Sequence, residues 1–155
     1  MIPFEAKLKS TPVEHILTLS GPLDESAELP KLKEKKNIRV HLGRLTHVSS
    51  HGIKIWCKWL LEHDQWPAIL LEECPHLFVR NFSSLKGFLT PNVSVLSFYV
   101  PFYSEATDEA KDVLFLRERE FKKDGSLNIP KVMDSRGQAM EMDVIEAKYF
   151  SFLKP

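Results

Sequence analysis

The sequence predicts an α/β fold: a mixed sheet of four to five strands with helices mainly on one face, followed by a small β-rich appendage with a terminal helix. Three observations carry this. Strand-like runs at 38–42, 68–71 and 93–100 are separated by two stretches of helical length, 52–65 and 75–86; strand, helix, strand, helix, strand with short loops implies parallel crossovers. Two alternating segments, 4–9 and 15–20, are broken by Thr11-Pro12 and read as an antiparallel hairpin, which makes the sheet mixed. From residue 104 the chain changes to polar turns and short extended pieces, so the division is placed at 1–103 and 104–155.

Each element follows from its residues. Ile38-Arg-Val-His-Leu42 is a β-branched run bounded by Asn37 and Gly43. Ala68-Ile-Leu-Leu71, after Pro67, is continuously apolar, as a strand covered on both faces should be. The segment 21–37 reads as a turn and a short, highly charged helix whose weak apolar set is Ala27, Leu29 and Leu32. On the 52–65 helix, Ile53, Trp56, Cys57, Leu60 and Leu61 form one core-facing stripe. Ile55 and Trp59 fall on the opposite side among Lys54, Lys58 and Glu62, as scattered surface hydrophobes, as residues covered by the C-terminal appendage, or as an exposed binding stripe of the kind in which tryptophan is enriched. In the appendage, 112–121 reads as a strand, Lys122 to Gly125 as a turn and 126–132 as a second extended piece. Asp143 followed by Glu146 makes a capping box for the terminal helix, to which Ile145, Tyr149, Phe150, Phe152 and Leu153 give an apolar side.

Composition narrows the function classes. At 155 residues the chain can bury a real core without metals or disulfides. Lys plus Arg equals Asp plus Glu, 21 each, so no global field draws the protein to nucleic acid or anionic lipid, and neither partner is expected. No apolar run approaches the roughly 20 residues that span a bilayer, and MIPFEAKLKS lacks the apolar region of a signal peptide; a cytoplasmic location is expected. The two cysteines, Cys57 and Cys74, read as small buried hydrophobes.

The informative stretch is THVSSHGIKIW, residues 46–56, where two serines, a histidine and a glycine join a strand to an amphipathic helix. One serine is the helix cap, accepting the orphan amide hydrogens of the first turn. A hydrolase reading of Ser50-His51 fails, because adjacent residues at a helix start point apart and there is no Gly-x-Ser-x-Gly elbow. His47 and His51 straddle the loop into the helix, which spoils the facing geometry of helical metal ligands. With no glycine-rich phosphate motif either, neither metal nor cofactor nor enzymatic activity is expected.

The pattern IRVHLGRLTHV, a polar pair, serine, any residue, glycine and an apolar helix resembles the STAS domain of anti-sigma-factor antagonists, with its strand, Asp-Ser-x-Gly and helix. ILTLSGPLD looks like the second strand and turn of that family, at Gly21, Leu23 and Asp24; AILLEECPHLFVRNFSSLKGF looks like its fourth strand and third helix, and VSVLSFYVPF like its last strand. The resemblance spans residues 4–103 in the correct order. It implies that Ser50 is the serine phosphorylated by an anti-sigma kinase and that Gly52 opens the helix, while Ser49 stands where the family carries aspartate. Phosphate at that rim would add about −1.5 to −2 charge to a surface whose partner is shaped for a neutral serine.

The tail, VPFYSEATDEA and then SLNIPKVMDSRGQAMEMDVIEAKYFSFL, resembles a zinc-ribbon-like extension carried by some bacterial STAS-like proteins. The positions of its paired cysteines would fall near Ser104 and Thr107 and at the turn Met133 to Gly137. None is cysteine, so a thiolate zinc site cannot form and the appendage must be held by packing.

The function expected is a non-enzymatic signalling module that binds an anti-sigma-factor or kinase-like protein partner. Its partner-binding set is Asp24, His47, Ser49, Ser50, His51, Gly52, Ile55 and Trp59. Two alternatives stand beside it: a small-ligand or nucleotide sensor using the cleft at the strand ends, and a scaffold that forms homodimers through Ile55 and Trp59.

Overall fold

The N-terminal hairpin forms as expected, from β1 (Glu5–Ser10) and β2 (Glu14–Leu23), antiparallel from Glu5↔Ser20 to Ser10↔His15. Thr11 makes the turn: its Oγ1 accepts from the Glu14 amide at 3.1 Å, and its own amide donates to the Glu14 carbonyl at 2.8 Å. The computed structural model describes residues 2–82 and 88–153. In these, β3 (Asn37–Val48), β4 (Ile69–Glu72) and β5 (Val93–Val95) add in parallel to give a mixed five-stranded sheet of order β1-β2-β3-β4-β5. The crossovers are α1 (Ser50–Glu62) and α2 (His76–Phe82). Both right-handed connections advance the same way along the sheet, which sets both helices on one face, and the Trp56 and Phe78 rings meet there at 5.2 Å. The end of the predicted second helix, 83–86, lies outside the described residues.

Strand alternation sorts the two faces. Leu17, Leu19 and Leu23 of β2, with Ile38, Val40 and Leu42 of β3, point under the helices and are buried. The alternate residues carry a polar ladder: Arg39 Nε lies 3.1 Å from Glu14 Oε1, its Nη1 donates to Glu72, and His41 Nδ1 lies 3.0 Å from the other Glu72 oxygen.

The charged helix expected within 21–37 does not form. Residues 24–36 run as turn and irregular chain from β2 to β3. Pro22 and Pro30 remove backbone donors, Asp24 closes a turn on the Ser26 amide at 3.0 Å, and two carbonyls of the segment are taken by distant side chains: Pro30 by Trp59 Nε1 at 3.1 Å, Glu34 by His15 Nε2 at 2.8 Å. Its apolar residues still pack inward, Ala27 buried and Leu29 and Leu32 partly so.

The single strand expected at 93–100 is broken at Leu96 into β5 and β6 (Ser97–Ser104), which belong to different sheets. The break coincides with a bend after β4. Glu73 takes φ 53°, its amide donates to Ser97 Oγ at 2.7 Å, and Cys74 pairs with Phe98 through its amide and carbonyl. The second sheet, of order β7-β6-β8, adds β7 (Glu109–Leu116) and β8 (Glu141–Met142). It begins at Ser97, so residue 103 lies inside one of its strands. Phe98 joins Phe115, Phe121 and Phe150 at ring distances of 5.0–6.0 Å, continuing one apolar core through both sheets.

Three appendage expectations need correction. β7 starts at Glu109, ahead of the strand expected at 112–121, and stops at Leu116, where Glu120 takes the Leu116 amide at 2.8 Å and Glu118 turns the chain at φ 70°. The segment 126–132 forms no strand, only a bridge from Leu127 to Phe121. The terminal helix is one turn, α3 (Glu146–Tyr149), followed by a 3-10 turn, Ser151–Leu153. Its cap position is Ile145, with no side-chain cap bond, because the Asp143 amide is held by the Pro101 carbonyl at 2.8 Å and the chain is still leaving β8. Tyr149 and Phe150 are buried as expected, whereas Ile145 is 72% exposed.

Candidate functional site

The serine pair divides its roles. Ser49 is the N-cap of α1, with extended backbone at φ −89° and ψ 166°, and its Oγ accepts from the Gly52 amide at 3.1 Å. The Ser49 amide donates to the Leu23 carbonyl at 3.0 Å, tying the start of α1 to the end of β2. Ser50, the first residue of the helix, is exposed, and its hydroxyl makes no hydrogen bond among the described residues. Gly52 is buried against the same carbonyl: a Cβ there would stand 1.9 Å from the Leu23 oxygen, so only glycine lets the helix approach this strand end.

Asp24 and His47 complete the rim. Register pairs Pro22 with His47 and Leu23 with Val48, which brings the two chain segments side by side. The hydroxyl and amide of Ser26 both donate to Asp24 Oδ1, at 2.7 and 3.0 Å, and hold its carboxyl below the ordinary aspartate range, with nearby His47 adding to the effect. His47 and His51 are exposed. Asp24, His47, Ser49, Ser50, His51 and Gly52 therefore lie together at one end of the sheet, as a surface whose protruding groups are Ser50 and the two histidines.

Ile55 and Trp59 do not belong to that surface. Trp59 is only 4% exposed, its indole donates to the Pro30 carbonyl and stacks on Trp56 at 5.6 Å, and Ile55 is partly buried against the core. The irregular 24–36 segment covers this side of α1, so both faces read from the sequence are rotated. Leu61, placed in the core stripe, is 57% exposed, and the outer side consists of His51, Lys54, Lys58, Leu61 and Glu62. This removes Trp59 as an anchor for self-association.

A second polar cluster sits in the appendage. Ser104 Oγ donates to Asp134 Oδ2 at 2.6 Å, and the Arg136 and Gln138 amides both donate to Asp134 Oδ1 at 2.9 Å. Ser104 and Asp134 are buried, and the Thr107 amide approaches Ser104 Oγ at 3.4 Å. Two turns that the sequence places 30 residues apart are thus joined by a hydroxyl–carboxylate contact, with Ser135 and Glu109 bonding alongside. Sequence reading located Ser104 and Thr107 but missed Asp134 as their partner; its one signal was the Asp-Ser-Arg-Gly turn. Among the described residues no group of three or more His, Cys, Asp or Glu side chains is placed to hold a metal ion, and no helix is long and apolar enough to cross a membrane. No family model matches the chain, and no curated protein matches it.

Proposed function

We propose that the protein is a signalling module of the anti-sigma-factor-antagonist type, which binds a protein partner through the 47–52 loop and the outer start of α1. Phosphorylation of Ser50 switches that contact. The observation that carries this reading is the division of labour between the serines: Ser49 makes the cap, which leaves the exposed Ser50 hydroxyl without a structural task. Helix N-termini tolerate added negative charge, so a phosphate on Ser50 would leave the fold intact while changing the surface offered to a partner. The mixed sheet with α1 and α2 on one face supports a STAS-like fold, and the irregular 24–36 segment stands where a charged helix was expected.

The test is site-specific photocrosslinking in the cells that make the protein, with benzoylphenylalanine at His51 and, as control, at Lys123. A discrete protein should be captured from His51 and not from Lys123, and Ser50→Asp should abolish the capture. Identical products from both positions, or capture unchanged by Ser50→Asp, would refute the reading.

A further inference from the structure

The five-stranded sheet ends at β5, and beyond that edge the 117–123 loop and the C-terminal 3-10 turn border a cavity of about 210 Å³. That is below the range of roughly 300–1,000 Å³ in which proteins take drug-sized ligands, so the space suits a smaller molecule. Two contacts fix its walls. The Arg117 amide donates to the Leu96 carbonyl at 3.0 Å, which ties the loop to the end of β5, and Phe121 is buried while bridging to Arg117 and Leu127. The apolar lining includes Val93 and Val95 of β5 with Phe121, Phe152 and Leu153.

The charged lining is of one sign. Among the described residues it consists of Arg117, Lys122 and Lys123, with the Ser94 hydroxyl beside them and no carboxylate. The excess remains when neighbours are counted against it. Lys122 is attracted by Asp124 in the same turn, whose carboxylate accepts the Ser126 amide at 2.9 Å, so this one cation is set against that charge. Arg117 and Lys123 enter no ion pair among the described residues. Of the other carboxylates in the loop, Glu120 is taken by the Leu116 amide and Arg119, and Glu118 is exposed outside the lining. We infer that the cavity binds a small phosphate monoester, with its phosphate held by Arg117 and Lys123 and its apolar body against Phe152 and Leu153. A phosphate monoester carries about −1.5 to −2 charge at neutral pH, which matches two cations, whereas a carboxylate leaves one of them unmatched. Arginine adds a planar fork that takes phosphate oxygens in pairs. The cavity is built by different elements from the Ser50 rim and does not depend on the function proposed for that rim.

Calorimetric titration of the full chain tests this with phenyl phosphate, benzoate and benzylammonium, which share an aromatic body and differ in the head, and with inorganic phosphate. Phenyl phosphate should bind with one site per chain, at least about tenfold tighter than benzoate, and benzylammonium should not bind. Inorganic phosphate should bind more weakly than phenyl phosphate, because it leaves the apolar lining uncovered. Lys123→Glu, at an exposed turn position, should keep the ligand-free melting temperature and weaken phenyl phosphate at least about tenfold. Lys35→Glu makes the same charge change at an exposed position of the 24–36 segment and should leave the affinity within about twofold. Absence of phenyl phosphate binding at millimolar concentration, equal binding of benzoate or of inorganic phosphate, unchanged affinity in a folded Lys123→Glu variant, or an equal loss from Lys35→Glu would overturn the assignment.

Discussion

Gly52 packs so closely on Leu23 that a side-chain carbon at residue 52 would lie 1.9 Å from the Leu23 carbonyl oxygen and 2.5 Å from its carbon. The obstacle is backbone, which cannot swing aside as a flexible side chain can. Gly52→Ala should therefore push the start of α1 off β2, break the Ser49 amide bond to Leu23, and cost about 3 kcal/mol, the upper end of ordinary overpacking. Urea unfolding of the variant checks the magnitude, and loss of protection of the Ser49 amide in hydrogen exchange checks the mechanism.

The serines should separate cleanly. Ser49→Ala removes the acceptor of the Gly52 amide and should cost about 1 kcal/mol, whereas Ser50→Ala should change stability by no more than a few tenths. The two midpoints in the same urea titration decide it. Equal losses would mean that the cap is shared.

Trp59 is a core residue of α1. Trp59→Ala should cost about 3–5 kcal/mol through the cavity it leaves. Trp59→Phe keeps most of the packing and loses the bond to the Pro30 carbonyl, about 1 kcal/mol plus some lost volume. Light scattering on the Phe variant should give the same mass as the parent, since this side chain is covered within the chain.

Acid should loosen the appendage through Asp134. The Ser104 hydroxyl, then the Gln138 and Arg136 amides, hold its carboxyl below the ordinary 3.8. A carboxyl with a depressed folded value contributes stability that is fully present above its unfolded value and is lost as pH falls through the folded one. Stability should thus decline below about pH 4, with Asp24, Glu109 and Asp124 contributing in the same direction. Ser104→Ala removes the first cause without changing charge, so its stability curve should fall less steeply in that window. A slope identical to the parent's would show that the Ser104 bond does not set the titration.

What could be read in advance follows from how local each cause is. The hairpin was legible because Thr11-Pro12 interrupts alternation within the chain itself, and β3 and β4 because one is a β-branched run bounded by Asn37 and Gly43 and the other is continuously apolar. The break at Leu96 was not legible, since VSVLSFYV is one unbroken strand-like run and the bend is imposed by Glu73 and Ser97 meeting from segments far apart in sequence. The orientation of α1 was misread for a similar reason. A wheel of its residues shows a broad apolar side, and which edge of that side meets solvent is decided by the 24–36 segment, whose Pro30 and committed carbonyls prevent the helix its charges suggest. At the candidate site the Ser49 cap was legible from residue type, whereas the need for glycine at residue 52 came from the Leu23 carbonyl, a long-range contact.

The central claim, a partner face switched at Ser50, is tested most directly by titrating the protein captured through His51 with three forms of this chain. The account predicts that the parent and Ser50→Ala bind with affinities within about twofold of each other, while Ser50→Asp binds at least about tenfold more weakly. Equal affinity of Ser50→Asp and Ser50→Ala, with both folded, would contradict it.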